Sequence, residues 1–359
     1  MKNIDWIEDL EQKVKYFLEK ISEDNYEYVK YSLSGDIYDK KFKWGLGQNV
    51  FLIKILFMLD LLKEVSGKQR YNLVKNLKKF EDDNGYISDP LIIKLANKNR
   101  YSIFDNRLNR FKTEKIRRAE TRQSFSAFNC LNEKPQKPFL HIPYTKDEID
   151  KFLSEMDWKF PWDSGSHFSH LLFFLELNRR MFGYREEEVC NLIKFANEWI
   201  DNIQSKKDGF WFKGETTVKE KINGAMKIIT GKAAAGIFKI YHHEKIIDNC
   251  LDAENVNEAC SNFNIVYCLY YCSRISDYKK KEIKKFCYDR LDIYRKFYFE
   301  DIGGFSFNLN KANDTYYGAR ITKGLNEPDI HGTVMFVWGI TLILRILEIP
   351  DLSFKIPLV

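Results

Sequence analysis

Six segments of the sequence share a design that few folds can accommodate. Each begins with polar or small residues and continues as an apolar body, so a helix formed there would have no fully polar side. Each segment therefore predicts a helix that other helices surround, with only its beginning in a polar place. The segments are 45–62, 117–131, 163–177, 218–231, 258–272 and 331–347.

More amphipathic and charge-rich helices are predicted between these segments, and almost no stretch shows the alternation typical of strands. They cover roughly 69–81, 146–157, 185–204, 237–249 and 279–297, with an opening helix near 4–22. The eight prolines fall in predicted loops. The chain is therefore predicted to be all-α.

The alternation of apolar and amphipathic helices fits an (α/α)6 toroid. Its inner helices contact other helices on every side, while its outer helices keep one face exposed to solvent. We expect a single domain over residues 1–359, with residues 1–44 as an N-terminal helical segment that packs on it. Two stacked helical bundles or a helical solenoid are the alternatives. If the inner helices run parallel, their polar beginnings meet at one mouth, where free N–H groups favour an anionic ligand.

The charge distribution and the absent motifs exclude several classes of function. The 57 Lys+Arg and 51 Asp+Glu residues give a net charge of +6, but they are interleaved, so no broad basic face for nucleic acid is expected. The sequence contains no phosphate-binding loop, dinucleotide fingerprint, nucleophile elbow or His-Glu-x-x-His motif. Nucleotide hydrolysis, hydride transfer by a Rossmann domain and serine hydrolysis are not expected.

The same features predict a cytoplasmic location. Acidic residues throughout the first thirty positions are unlike a secretory signal, and no apolar run reaches the roughly 18 to 20 residues that span a bilayer. Seven cysteines, an odd number in a large chain, suit reduced thiols rather than a disulfide framework. No transmembrane segment is expected.

Three turns combine acidic residues, a glycine and a following aromatic residue: EDDNGYISDP (81–90), KKDGFWFKG (206–214) and EDIGGFSFNLN (300–310). They resemble the Asp-Gly-Gly-aromatic repeats of the terpenoid cyclase and protein prenyltransferase α/α toroids. The segment GGFSF followed by NEPDIHGTVMFVWGITLI resembles the last helical pair of a prenyltransferase β subunit. The arrangement of helices and turns resembles these families over roughly two thirds of the chain, whereas specific sequence motifs match over roughly 30 to 40 residues.

The resemblance implies a zinc site, because a prenyltransferase β subunit binds zinc through an acid, a cysteine two residues later and a histidine on a later inner helix. Glu258, Cys260 and His331 occupy comparable places, with Glu where the family has Asp. A buried cysteine and a capping histidine are the structural alternative. The aspartate motifs of the terpene cyclases are incomplete, because Asp82 and Asp83 match neither of them. No other cofactor is implied.

Several side chains at the predicted mouth have the chemistry of catalysis. His167 and Asp163 belong to the start of one inner helix, and Asp329 and His331 to the start of another. Tyr316 lies in a polar loop. Histidine, carboxylate and tyrosine are general acids and bases, although helix capping, a buried histidine or a plain surface loop would explain the same residues. These five are the catalytic candidates.

Other side chains at the mouth could bind a substrate. Arg122 and Gln123 interrupt an otherwise small and apolar stretch, and arginine grips anions through forked hydrogen bonds. Asn223 and Lys227 share a helix face, although a lysine there could simply reach solvent. Tryptophan rings stack on sugars. The substrate-binding candidates are Arg122, Gln123, Asn223, Lys227, Trp162, Trp211 and Arg320.

The sequence therefore predicts an enzyme with an active site in a central cavity, at the N-termini of the inner helices. Acid/base chemistry on a glycan or glycan precursor, by a hydrolase, lyase or epimerase, is the leading hypothesis. A prenyltransferase-like or terpene-cyclase-like protein that acts on an isoprenoid diphosphate is the second. A non-catalytic helical scaffold whose cavity binds a ligand or a protein is the third.

Overall fold

The computed structural model describes residues 4–38, 41–98, 106–254, 257–349 and 354–358. This part of the chain is mostly helical, which confirms the all-α prediction, and it contains thirteen α-helices. They are α1 Leu10–Ile21, α2 Leu46–Met58, α3 Gly67–Lys78, α4 Pro90–Lys98, α5 Asn106–Cys130, α6 Lys146–Ser154, α7 Pro161–Phe182, α8 Glu186–Asn202, α9 Val218–Ala234, α10 His243–Leu251, α11 Ala259–Ser273, α12 Lys280–Arg295 and α13 Ile330–Leu347.

Three short antiparallel hairpins accompany the helices. Each pairs two strands of two residues, and the second and third hairpins precede α13 in the chain. The strands are β1 Ser22–Glu23 with β2 Tyr28–Val29, β3 Tyr298–Phe299 with β4 Gly304–Phe305, and β5 Thr315–Tyr316 with β6 Ala319–Arg320.

Each of the six predicted apolar segments contains a helix, although some boundaries differ from the prediction. Helix α5 begins at Asn106, eleven residues before the predicted start, because the helix includes the charge-rich sequence that precedes its apolar body. Helix α4 was not predicted. Proline suits the first turn of a helix as well as a loop, and Pro90 is the first residue of α4, where Asp89 accepts hydrogen bonds from two backbone N–H groups.

The helices of the apolar segments contact one another in chain order. Helix α2 packs on α5, α5 on α7, α7 on α9, α9 on α11 and α11 on α13, and α13 packs on α2. The amphipathic helices contact this group, with α3 on α2, α8 on α7, α10 on α11 and α12 on α13. The core therefore lies between helices that are apolar on several sides.

Helix α13 is the most apolar of these helices. Within the described ranges it alone is long and apolar enough to cross a membrane by length and composition, and 78% of it is buried inside the protein. Most of its surface therefore packs against other parts of the fold.

Helices α7 and α9 approach closely at their beginnings, where glycines face the partner helix. A Cβ atom on Gly224 would lie 2.6 Å from Cβ of Pro161, and one on Gly165 would lie 2.9 Å from the carbonyl oxygen of Gly224. Any larger residue at either position would push the helices apart. This contact fixes two of the helices that line the cavity described below.

A buried carboxylate organises the beginning of α13. Asp329, which is fully buried, caps the helix by accepting a hydrogen bond from the Gly332 N–H at 2.8 Å. Its other oxygen accepts hydrogen bonds from the backbone N–H groups of Phe307 at 2.7 Å and Asn313 at 2.9 Å. Asp329 therefore joins the start of α13 to the chain that precedes it.

We predict that Asp329→Ala lowers the free energy of unfolding by about 3 kcal/mol or more, because three buried N–H groups lose their acceptor. Urea denaturation followed by circular dichroism measures this. Asp301→Ala is the matched control, since Asp301 is exposed and the change is expected to stay within about 0.5 kcal/mol. A variant of Asp329 with unchanged stability and abolished catalysis would contradict the capping role and favour a catalytic one.

Candidate functional site

A cavity of about 630 Å³ lies between α5, α7 and α9. Phe160 and Trp162, at the start of α7, are 63% and 44% exposed and form its outer part, whereas Arg122 and His170 are each only 4% exposed. The cavity therefore extends from exposed aromatic rings to buried polar groups. It is lined by Lys115, Ile116, Ala119, Arg122, Gln123, Phe160, Trp162, Asp163, Ser166, His170, Glu220, Lys227 and Tyr317.

Arg122 is the most unusual residue of this lining. Its Nε and Nη1 atoms are buried and have no hydrogen-bond partner in the described part of the chain, although buried guanidinium groups are normally paired. The guanidinium carbon lies 5.7 Å from the centre of the Phe173 ring. Burial lowers the pKa of Arg122 to about 10, and the side chain is therefore still charged at neutral pH. Arg122 is a buried cation with unused donors.

Two lysines on other helices accompany Arg122. Lys227 on α9 lines the cavity, and burial followed by the charge of Arg122 lowers its pKa to about 8. Lys54 on α2 is 2% exposed, and its ammonium donates a hydrogen bond to Oε1 of Gln123. Burial, followed by the charges of Arg122 and Lys227, lowers the pKa of Lys54 to about 7. The three cations therefore repel one another inside the protein.

Two histidines of α7 lie beside Arg118 of α5. The Arg118 side chain donates from Nε to Nδ1 of His170 at 3.2 Å, and its Nη2 lies 2.9 Å from Nδ1 of His167. Burial and the nearby arginines lower the pKa of His170 well below its usual range, and the pKa of His167 to about 3. Both imidazoles are therefore neutral at physiological pH. Since Nδ1 of His170 accepts a bond, its proton is on Nε2, 3.4 Å from Ser166 Oγ.

Two carboxylates belong to the lining, one on each side of the α7/α9 contact. Asp163 on α7 forms an ion pair with Lys115. Glu220 is on α9, and the Thr217 side chain caps that helix by accepting a bond from the Glu220 N–H. Both residues lie in the first turn of their helices, where the helix dipole stabilises negative charge. These carboxylates are the acid/base candidates of the cavity.

Of the residues predicted from the sequence, five line this one cavity: Arg122, Gln123, Trp162, Asp163 and Lys227. Asn223 lines a second cavity of about 520 Å³ and accepts a hydrogen bond from Asn264 Nδ2 at 2.8 Å. Trp211 is buried in the core, and Arg320 is exposed on β6. Neither belongs to the lining, so the tertiary structure does not bring all the predicted substrate-binding residues together.

His331 and Tyr316 belong to a separate aromatic cluster near the start of α13. The His331 ring stacks on Phe51 with their centres 4.6 Å apart, and its Nδ1 lies 2.9 Å from Tyr31 Oη and 3.1 Å from Asn313 Nδ2. Tyr316 is 6.3 Å from His331, centre to centre. Burial lowers the pKa of His331 to about 3, so its ring is neutral. Asp329 lies next to this cluster, and both of its carboxylate oxygens accept the backbone hydrogen bonds described above.

The residues that resemble a zinc site do not form one group in the described chain. Glu258 caps α11 by accepting bonds from the Ser261 N–H and hydroxyl. Burial raises the pKa of Cys260 to about 12, which disfavours the thiolate that zinc requires. In the described ranges no three His, Cys, Asp or Glu residues are placed to hold a metal ion, so Glu258, Cys260 and His331 are not such a set.

Sequence reasoning missed several residues of the cavity. The clearest omission beside the lining is Lys54, which contacts Gln123, and the signal for it was present, because a lysine in the middle of an otherwise apolar helix is a buried charge. Glu220 and Phe160 lie next to helix starts that were identified. Tyr317 lines the cavity, whereas the predicted Tyr316, the residue before it, does not. The conformation of the hairpin β5/β6 determines this, and the sequence does not show it.

No protein-family model matches the chain, and a comparison with curated proteins finds no relative. The function has therefore to be inferred from the geometry of the cavity.

We predict that Lys54→Met raises the free energy of unfolding by about 1 to 4 kcal/mol near neutral pH, since it removes a buried charge that has no carboxylate partner among the described residues. The pKa of Lys54 falls from 10.5 in the unfolded chain to about 7 in the fold. The unfolded chain binds more protons between these values, so this lysine makes the wild-type protein more stable as pH rises from 7 to 10.5. The advantage of the variant should shrink over that range.

Lys232→Met is the matched control for this measurement. Lys232 is also fully buried, but its ammonium forms an ion pair with Asp201, so the variant removes the cation that compensates this carboxylate and should be destabilised. Guanidinium denaturation of both variants at pH 6.5 and 9.5 makes the comparison. A loss of stability in Lys54→Met at pH 6.5 equal to that in Lys232→Met would contradict the prediction.

Proposed function

We propose that the six apolar helices form the inner ring of an (α/α)6 toroid. The contacts of α2, α5, α7, α9, α11 and α13 in chain order, together with the contact of α13 with α2, support this arrangement. The amphipathic helices α3, α8, α10 and α12, each against a helix of this group, would belong to the outer ring. The cavity would then lie at the inner-helix beginnings, because the first turns of α7 and α9 line it.

We propose that the protein is an enzyme that acts on an anionic glycan or glycan precursor in the cavity between α5, α7 and α9. The observation that carries this proposal is Arg122, a buried arginine that lines the cavity with Lys227 and whose Nε and Nη1 have no hydrogen-bond partner among the described residues. Buried cations of this kind need a negative charge nearby. An anionic group of the substrate would supply it.

The outer part of the cavity suits the remainder of such a substrate. Trp162 and Phe160 are exposed aromatic rings at the opening, and sugar rings stack on such surfaces. The Gln123 amide and the His170 Nε2–H offer hydrogen bonds to hydroxyl groups. A substrate bound along the cavity would place its anionic end at Arg122 and its sugar ring near the mouth.

Asp163 and Glu220 would carry out the acid/base chemistry. Glycoside hydrolysis uses two carboxyl groups on either side of the scissile bond, one to protonate the leaving oxygen and one to activate water or attack the sugar. Here one carboxylate comes from α7 and the other from α9, and both line the cavity.

Chemistry on an isoprenoid diphosphate is the second candidate. Ile116, Ala119, Phe160, Trp162 and Tyr317 give the cavity a large apolar surface, which a prenyl chain could occupy while its diphosphate lies at Arg122. The Gly-aromatic turns point to the same class of proteins. The cationic end of the cavity is common to both candidates, and the organic part of the ligand distinguishes them.

We predict that uronic acids, acidic oligosaccharides or sugar phosphates raise the thermal denaturation temperature of the protein. A ligand at a hundred times its Kd contributes about 2.7 kcal/mol to the stability. Trp162→Ala should weaken sugar binding by about tenfold, since it removes the stacking surface. Tyr71→Ala is the control, because Tyr71 is an exposed aromatic residue on α3, outside the cavity.

Asp163→Asn and Glu220→Gln separate catalysis from binding. Each removes an acid/base group but keeps the shape of the side chain, so turnover of the substrate found in the screen should fall by about a hundredfold or more with little change in affinity. Stabilisation by prenyl diphosphates alone would favour the second candidate. Binding without turnover by the wild-type protein would favour a non-catalytic scaffold.

A further inference from the structure

Arg122 and Lys227 line the cavity, and a third cation, Lys54, contacts the lining residue Gln123. None of the three cations in this cluster forms an ion pair with a carboxylate of the described residues. Lys54, Arg122 and Lys227 come from α2, α5 and α9. The charge of Arg122 lowers the pKa of both lysines, and the charge of Lys227 also lowers the pKa of Lys54. The remaining influences on their pKa values come from the side chains of Cys130, Cys260, Tyr267 and Tyr317. Among the described residues, no Asp or Glu contributes to these three pKa shifts.

Other buried cations of the described chain have partners. Lys232 forms an ion pair with Asp201, and Lys221 forms one with Asp208 at 2.7 Å. Arg290 donates from Nη1 to Asn262 Oδ1 at 2.7 Å. The fold therefore neutralises or hydrogen-bonds its buried cations elsewhere. Arg122 differs, because neither its Nε nor its Nη1 has a hydrogen-bond partner among the described residues, and Arg122 adjoins an open cavity.

We propose that this cluster is a binding site for a doubly charged phosphoryl group, the phosphate or diphosphate of the substrate, which lies between Arg122 and Lys227. Lys54 is a further cation nearby, and its ammonium donates a hydrogen bond to Gln123, which lines the same cavity. The inference rests on the proposed function for the place of the substrate, and it adds the chemical class of the anionic group.

The number and arrangement of the cations favour a phosphoryl group over a carboxylate. A carboxylate carries one charge and would leave most of the positive charge uncompensated, whereas a phosphate monoester or diphosphate carries two or more. The donors of Arg122 and Lys227 come from two different helices, α5 and α9, which suits a tetrahedral group with acceptors in several directions. Arginine offers a planar pair of donors to such a group, and lysine offers a compact charge.

The phosphoryl group could belong to a sugar phosphate or to a prenyl diphosphate, and both fit the site by the same chemistry. The cationic cluster binds the charged end in either case. The aromatic and apolar residues nearer the opening, Trp162 and Ile116 among them, contact the organic part. The source of the phosphoryl group is therefore tested separately from the group itself.

Isothermal titration calorimetry of the full chain at constant ionic strength tests the inference with inorganic phosphate, inorganic diphosphate and glucuronate. We expect diphosphate to bind at least tenfold more tightly than glucuronate. Arg122→Met and Lys227→Met should each weaken diphosphate binding at least tenfold. Lys219→Met is the matched control, because Lys219 is an exposed lysine on the same helix as Lys227 and lies outside this cavity.

The stability of the variants shows whether lost binding reflects lost folding. Because Arg122→Met and Lys227→Met remove buried cations that lack a carboxylate, their unfolding temperatures without ligand should equal or exceed that of the wild type. Arg122→Lys keeps the charge but loses the planar donors, so it should retain part of the affinity. Unchanged diphosphate affinity in a folded Arg122→Met variant overturns the inference.

Further ligands separate this inference from the proposed function. Glucose 1-phosphate and geranyl diphosphate identify the organic part, and tighter binding of either than of the inorganic group supports the phosphoryl site. Binding of glucuronate and acidic oligosaccharides without binding of phosphate or diphosphate overturns the site, while a glycan enzyme stands. Binding of diphosphate and geranyl diphosphate without any sugar derivative supports the site and contradicts the glycan proposal.

Discussion

Helices that are apolar around most of their circumference must be enclosed, and this constraint shapes the whole structure. Helix α13 illustrates it, because most of its 18 residues are buried. Enclosure also buries the beginning of the helix, where backbone N–H groups lack partners. At two helix starts a buried carboxylate accepts hydrogen bonds from these N–H groups. Asp329 does so at the start of α13, and Asp89 does so at the start of α2, where it accepts a bond from the Gly45 N–H at 2.8 Å. Hydrophobic burial and polar capping therefore depend on each other.

Because these helices are enclosed, a charged side chain on one of them has little access to water and needs a partner within the fold. Lys232 on α9 finds Asp201 on the neighbouring α8, so its charge is compensated within the fold. Lys54 and Arg122 find no carboxylate among the described residues, and the repulsion between them adds to the cost of their burial. If the proposed anion binds in the cavity beside Arg122, binding would offset part of this cost.

The sequence predicted the helices better than it predicted the site, for a physical reason. Apolar periodicity and a polar first turn are local, so the helices containing Arg122 and Lys227 were found from them. Helix α4 was missed because Pro90 satisfies a loop and a first helical turn equally. Trp211 and Arg320 have the right chemistry, but the core encloses one and a hairpin exposes the other. Such orientations depend on contacts distant in sequence, which one sequence does not contain.

Ligand binding and protonation are coupled in a cluster of this kind. Without a ligand, Lys54 has a pKa of about 7 and is charged in only part of the molecules at neutral pH. A doubly charged anion beside Arg122 and Lys227 would favour the ammonium form, so the pKa of Lys54 would rise and the protein would take up a proton as the ligand binds. The affinity would then fall as pH rises above 7. The low pKa of an enclosed lysine thus connects the packing of α2 with the charge of the ligand.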